Sequence, residues 1–126
     1  MSYVDAVVIP VPEANLDAYK KMVKLAGKAW MKHGALRYIE AIADDVPEGK
    51  VTDLYRAVKR KEGETIAFAF VMFKNRKHRD EVMKKVMSDP SLAEAMKNMP
   101  FDGKRMIFGG FKPIVELEAK EPAAAK

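Results

Sequence analysis

Two carboxylates and a phenol share one phase of two alternating segments. In Tyr3–Ile9, residues Tyr3, Asp5, Val7 and Ile9 fall on one side and Val4, Ala6 and Val8 on the other. In Leu36–Ala43, residues Leu36, Tyr38, Glu40 and Ile42 oppose Arg37, Ile39 and Ala41. Residues two apart on a strand point to one face, so Asp5, Tyr38 and Glu40 form a candidate catalytic set. A carboxylate beside a phenol works as a general acid/base pair once loss of water raises the carboxyl pKa. Arg105 shares a phase with Ile107 and Gly109 and is the expected partner of Asp5 or Glu40, with Gly109 leaving room beside it. The same pairing has a purely structural reading, in which a carboxylate neutralises Arg105 so that no charge is buried alone.

Trp30 and His33 lie one turn apart on a helical pattern. An imidazole near an indole suits ligand binding in an oxygenase or haem site, but a helix C-terminus accounts for His33 and a core stripe for Trp30. The run Asn75-Arg-Lys-His-Arg79 puts several cations in a first helical turn. A bound phosphate or carboxylate would relieve their repulsion, which makes Arg79 a candidate ligand contact; solvated cations offset by Asp80 and Glu81 are the alternative. The serines have no histidine nearby in sequence, and Gly109-Gly110 lacks the spacing of a phosphate loop. Two isolated histidines make a poor metal site, and no cofactor is expected.

The elements that must position these residues follow from patterning. Tyr3–Ile9 reads as a strand stopped by Pro10 and Pro12. Asn15 suits an N-cap, after which Leu16, Tyr19, Val23, Ala26 and Trp30 recur at steps of three and four, one helical stripe. Gly34 suits the left-handed position beyond the helix end. Leu36–Ala43 reads as a second strand. Val51–Arg60 reads as extended, joined by a Lys61–Glu64 hairpin to the strand Thr65–Phe73. Asn75 caps a second helix with Val82, Met83, Val86 and Met87 on its buried face, and Asp89-Pro90 starts a short helix through Met96. Arg105–Phe111 is the closing strand after an Asp102-Gly103 turn, with Lys112–Leu117 continuing it or adding an edge. This order fits an α+β fold, a ferredoxin-like split βαβ sandwich with an antiparallel sheet and helices on one face. A single domain over 1–117 with a frayed tail over 118–126 is expected.

Thr65–Phe73 is apolar on both faces, whereas helices cover only one. The cheapest second cover is another copy of the same sheet, which predicts a homodimer. In that arrangement the Asp5, Tyr38 and Glu40 face is expected to look into the space shared by the two sheets, with Val4, Ala6 and Val8 under the helices.

The 126 residues are 48% hydrophobic, carry a net charge of +5 and include no cysteine. Disulfides and thiolate metal sites are therefore excluded, and a cytoplasmic location is expected. The N-terminal apolar run has no basic region before it, and no stretch approaches the roughly 20 apolar residues of a membrane span. Bases and acids alternate throughout, so the charge favours a solvated surface over a nucleic-acid interface.

The segments Tyr3-Val-Asp-Ala-Val-Val-Ile-Pro10, His33-Gly-Ala-Leu36, Asp44-Asp-Val-Pro47, Gly49-Lys-Val-Thr52, His78-Arg-Asp80, Met87-Ser-Asp-Pro90 and Met99–Phe111 resemble the YbaA-like family of uncharacterised bacterial proteins over Tyr3 to about Leu117. That resemblance implies a dimeric α/β-barrel, a superfamily that includes cofactor-free oxygenases of aromatic substrates, haem-handling enzymes and sensing domains; fold alone does not choose among them. The expected function is small-molecule handling in a pocket between sheet and helices or at the dimer interface, with cofactor-independent oxidation of an aromatic or quinol-like compound as the enzymatic version. A non-catalytic ligand-binding or stress-related dimer and a basic RNA-associated protein are the alternatives.

Overall fold

A computed structural model describes residues 2–119. Four strands, β1 (Tyr3–Pro12), β2 (Arg37–Ile42), β3 (Glu64–Phe73) and β4 (Ile107–Phe111), form one antiparallel sheet in the order β2-β3-β1-β4. The helices are α1 (Leu16–Lys32), α2 (Leu54–Ala57), α3 (Arg76–Met87) and α4 (Pro90–Ala95). Most of the tail expected over 118–126 lies outside the described residues.

Local chemistry explains most of the boundaries. Asn75 Oδ1 accepts the His78 amide at 2.8 Å, and Asp89 Oδ1 accepts that of Ser91 at 2.8 Å, so both side chains cap helix starts as the sequence suggests. Asn15 occupies its N-cap position without capping and instead donates to the Pro100 carbonyl at 3.0 Å. Gly34 sits at φ +116°, beyond the end of α1. Strand β1 runs on through Pro10 and Pro12 rather than stopping there. Its pairing with β4 ends at Val8, so beyond that point one side of β1 has no ladder for the missing N–H groups to break.

The extended reading of Val51–Arg60 is corrected. Asp53 caps the single turn of α2 by accepting the Arg56 amide at 2.8 Å, Tyr55 donates to the Val46 carbonyl at 2.7 Å, and Val58 is buried. Lys59, at φ 52°, then turns the chain in the left-handed region, so there is no hairpin into β3. Strand β3 pairs with β1 and β2 instead. Lys112–Leu117 adds no strand, and Ser2 holds this segment through its amide and hydroxyl on the Glu116 carboxylate, at 2.9 and 2.8 Å.

The two sheet faces are the reverse of the expected assignment. Cα partners in register share a face, so Tyr3, Asp5 and Val7 lie with Phe73, Val71 and Ala69, and with Tyr38 and Glu40 of β2. This is the helix-covered side, where Tyr3, Val71 and Phe73 pack with Ala26, Ala29, Val82 and Val86. A second cluster on the same side joins Ile9, Val11 and Ala67 to Tyr19 and Met22. Val4, Ala6 and Val8 lie instead on the open face with Phe68, Phe70 and Met72, and Phe68 is 45% exposed. Both phases of β1 and β3 are apolar, so hydrophobicity cannot tell them apart. The alanines of β3 and Phe73 face the helices, whereas Phe68 and Phe70 face outward.

Candidate functional site

A cavity of about 520 Å³ lies between the sheet and the helices, lined by residues drawn from both packing clusters. Its floor includes Val7, Ala69 and Val71; α1 contributes Tyr19, Met22 and Trp30, α3 contributes Met83 and Met87, and Met96 follows the end of α4. Methionine is unbranched and polarisable, and such a lining adapts to ligand shape. The small side chains of β3 leave the floor flat. Its size is that of a small-molecule site.

Two polar stations enter this apolar space. On the β2 side, Glu40 accepts hydrogen bonds from Tyr38 at Oε1, 2.8 Å, and from Tyr19 at Oε2. Tyr38 and Glu40 are two apart on one strand, and Tyr19 reaches them from the first turn of α1. Gly27 makes the crossing possible: a Cβ there would come within 2.9 Å of the Tyr38 ring. Burial pushes the Glu40 carboxyl above its ordinary value, and the two phenolic donors only partly oppose this. Burial first, and then the hydrogen bond to Glu40 and its charge, hold both tyrosines protonated as donors. Among the described residues no cation pairs with Glu40.

Across the floor, Asp5 Oδ1 accepts from Arg79 Nη1 at 2.8 Å. Burial raises the Asp5 carboxyl; Arg79 opposes this and Asp80 adds to it. Asp5 Oδ2 is buried with no hydrogen-bond partner among the described residues. The structure thus puts Asp5, Tyr38, Glu40, Trp30 and Arg79 around one cavity.

Arg105 and His33 lie elsewhere. The closing strand begins at Ile107, and Arg105 ends a 3₁₀ turn, Gly103–Arg105. Its partner is neither Asp5 nor Glu40 but Glu64, which it grips through both Nη atoms at 2.7 Å each, with Nε on Asp102 at 3.0 Å. The Asp102-Gly103 turn coils the backbone at Arg105, so the strand phase assumed from Ile107 and Gly109 does not extend back to it. His33 caps the end of α1 and its Nε2 lies 2.7 Å from Asp89 Oδ2. Trp30 packs edge-on against Phe73, with ring centroids 6.0 Å apart. The cationic run at the start of α3 is not an open anion site, because Arg79 turns back onto Asp5 and Asp80.

Tyr19 is the site residue that sequence reasoning assigned only to the core. Its place on the helical stripe was visible, but the carboxylate its hydroxyl would meet was not, because that pairing depends on α1 lying over β2. Met87, expected to be buried, is 62% exposed and lies at the cavity's lining.

The strand order and the helices packed on one face define a ferredoxin-like fold. The fold is shared with an uncharacterised NIPSNAP-like domain protein from Burkholderia xenovorans, at TM-score 0.61 and 10% identity, covering 94% of this chain and 90% of that one. It is shared also with a mutant of SnoaB, a cofactor-independent oxygenase from Streptomyces nogalater, at TM-score 0.58 and 10% identity over 94% and 98% of the two chains. A dimeric ferredoxin-like protein from an uncultured marine organism matches at TM-score 0.50 and 11% identity over 94% and 98%.

Residues 2–103 match the model of the family described as protein of unknown function DUF1428, and the chain belongs to that family. The uncharacterised protein YbaA of Escherichia coli K12 is 46% identical over 116 residues, which span 92% of this chain and 99% of YbaA. No helix among the described residues is long and apolar enough to cross a membrane.

Proposed function

We propose that the cavity binds a compact hydroxylated aromatic compound or an anthrone-like ketone, and that Glu40 takes its acidic proton in an oxidation that uses dioxygen without a cofactor. The observation that carries this reading is the Glu40 carboxylate, set at a largely apolar cavity with two tyrosine donors and, among the described residues, no cation bonded to it. A carboxylate so placed is a stronger base than one in water. The two phenols hold its orientation, and each oxygen keeps a further lone pair for a substrate proton.

For a substrate of the form R₂CH₂ flanked by aromatic rings, Glu40 takes one proton and leaves a delocalised carbanion. Single-electron transfer to dioxygen and recombination form the C–O bond, and the Glu40 proton returns to the peroxide. Loss of the second C–H proton with hydroxide then gives R₂C=O and water, so each oxygen atom is accounted for. SnoaB, which shares the fold, is described as a cofactor-independent oxygenase; the base argued for this chain is its own.

The reading includes a homodimer. The open face presents Phe68, Ile39, Ile107 and Phe111, all more than a third exposed, with few charges among them. A second copy of that face is the partner of matching shape, and one fold neighbour is described as dimeric.

The test is oxygen uptake with anthrone and 1,4-naphthohydroquinone. Wild-type protein should consume oxygen above the buffer rate, and Glu40→Gln should lower that rate by about 10²–10⁴-fold, the usual contribution of a general base. An unchanged rate in Glu40→Gln would exclude it as the base. Binding without uptake would leave a ligand-binding protein.

A further inference from the structure

Two of the arginine–carboxylate pairs among the described residues, both largely buried, are built differently. Arg105 and Glu64 meet as a closed fork, both nitrogens on both oxygens at 2.7 Å. Such a pair is complete. Arg79 and Asp5 meet on one leg only. Asp5 uses Oδ1, its Oδ2 stays buried without a partner, and Arg79 Nη2 has only a long contact, 3.5 Å, to the Tyr3 hydroxyl. Asp5 is 8% exposed, so the orphaned oxygen lies in a region more than nine-tenths buried. Both residues line the cavity.

We propose that Arg79 is the receptor for an acidic group on the cavity's ligand, and that Asp5 is an internal carboxylate which the ligand's own carboxylate displaces. This rests on the proposed ligand site and adds a substrate class to it: a hydroxyaromatic acid, with its hydroxyl at Glu40 and its carboxylate at Arg79. The sheet sets the span. Asp5 and Tyr38 both lie opposite Val71, one on each side of β3, so their backbones are two strand spacings apart, roughly 10 Å. A fused bicyclic acid bridges that gap over Val71 and Ala69.

Opposite Asp5, β4 has Gly110, over which the Tyr3 ring packs, so the exchange would open toward the cavity floor at Val7 and Val71 rather than toward β4. Arg79 is held in place from behind. Its Nε donates to Asp80 at 2.9 Å, and its guanidinium carbon lies 5.0 Å from the centre of the Tyr3 ring. A ligand carboxylate would therefore meet a prepositioned fork with both Nη atoms available. The displaced Asp5, with no other cation beside it, takes up a proton from water; its carboxyl is already raised by burial. The charged and titratable groups around Asp5 are Arg79 and Asp80 from α3 and Tyr3 from its own strand, while β3 and β4 place only Val71 and Gly110 opposite it.

The experiment compares two probes that differ by one carboxylate, 6-hydroxy-2-naphthoic acid and 2-naphthol, by calorimetry with no turnover required. Wild-type protein should bind the acid about tenfold more tightly than the naphthol, the worth of one good charge-assisted contact. Its affinity for the acid should fall as pH rises, because binding takes up a proton. Asp5→Asn should tighten the acid and abolish that pH dependence. Arg79→Gln should erase the preference for the acid over naphthol, and the double variant Asp5→Asn/Arg79→Gln, which buries no charge, should do the same in a stably folded protein. Naphthol binding without preference for the acid, or a preference that survives in the double variant, overturns the role of Arg79 alone. Binding of neither probe overturns the ligand site itself.

Discussion

Removing the hydroxyl of Tyr19 tests whether the Glu40 cluster has the electrostatics argued for it. Tyr19→Phe keeps the ring, which is 1% exposed and packs edge-on against Phe101 with centroids 5.7 Å apart. It deletes one hydrogen bond to a half-buried carboxylate, worth about 1.5–3 kcal/mol when the acceptor is charged. For a chain of this size each kcal/mol lowers Tm by roughly 3–5 °C, so a fall of about 5–15 °C is expected in a calorimetric melt near neutral pH. The sign with pH follows from the Glu40 carboxyl, which is raised above its ordinary 4.5 in the folded protein. A raised carboxyl favours folding fully below the unfolded value and loses that contribution as pH rises through the folded one. Below 4.5 Glu40 is a neutral acid and the lost donor matters less. The Tm difference should therefore shrink between about pH 8 and about pH 4, and it should shrink likewise in a Glu40→Gln background, where no carboxylate is left to strand. Equal differences at both pH values, together with additivity in the double variant, would refute the cluster as a desolvated carboxylate held by phenols.

Two further outcomes follow from the packing. Gly27→Ala would raise helix propensity by about 1 kcal/mol at a solvent-facing site, but here its Cβ meets the Tyr38 ring at 2.9 Å. The variant should melt no higher than wild type and should bind 2-naphthol more weakly, because the ring is driven into the cavity; a higher Tm with unchanged binding would contradict the crossing described. Phe68→Lys on the open face should shift sedimentation from dimer to monomer while the fold is kept by circular dichroism. A monomeric wild type, or a dimer indifferent to this change, would remove the sheet-to-sheet assembly.

The sequence carried the fold well because periodicity and punctuation agreed. Asn75, Asp89-Pro90 and Gly34 each do the local work their chemistry suggests. What patterning could not resolve was phase. With both sides of β1 and β3 apolar, the covered face depends on α1 crossing over β2, a tertiary fact. The same limit decided the arginines. Arg105 is 41 residues from Glu64 in the chain and Arg79 is 74 from Asp5, separations at which residue type alone does not select a partner. Val51–Arg60 was misread for a local reason: Tyr55 and Val58 favour a strand, but the Asp53 cap and the tyrosine bond to Val46 stabilise a helical turn instead.

The central claim is that the space between sheet and helices takes a ligand. Trp30 is the only tryptophan and lines that space, so its fluorescence reports occupancy directly. Titration with 2-naphthol should quench Trp30 saturably at one site per chain, and Ala69→Phe, which raises the floor, should abolish the saturable phase while far-ultraviolet circular dichroism is unchanged. Quenching that stays linear in probe, or that survives in Ala69→Phe, would contradict it.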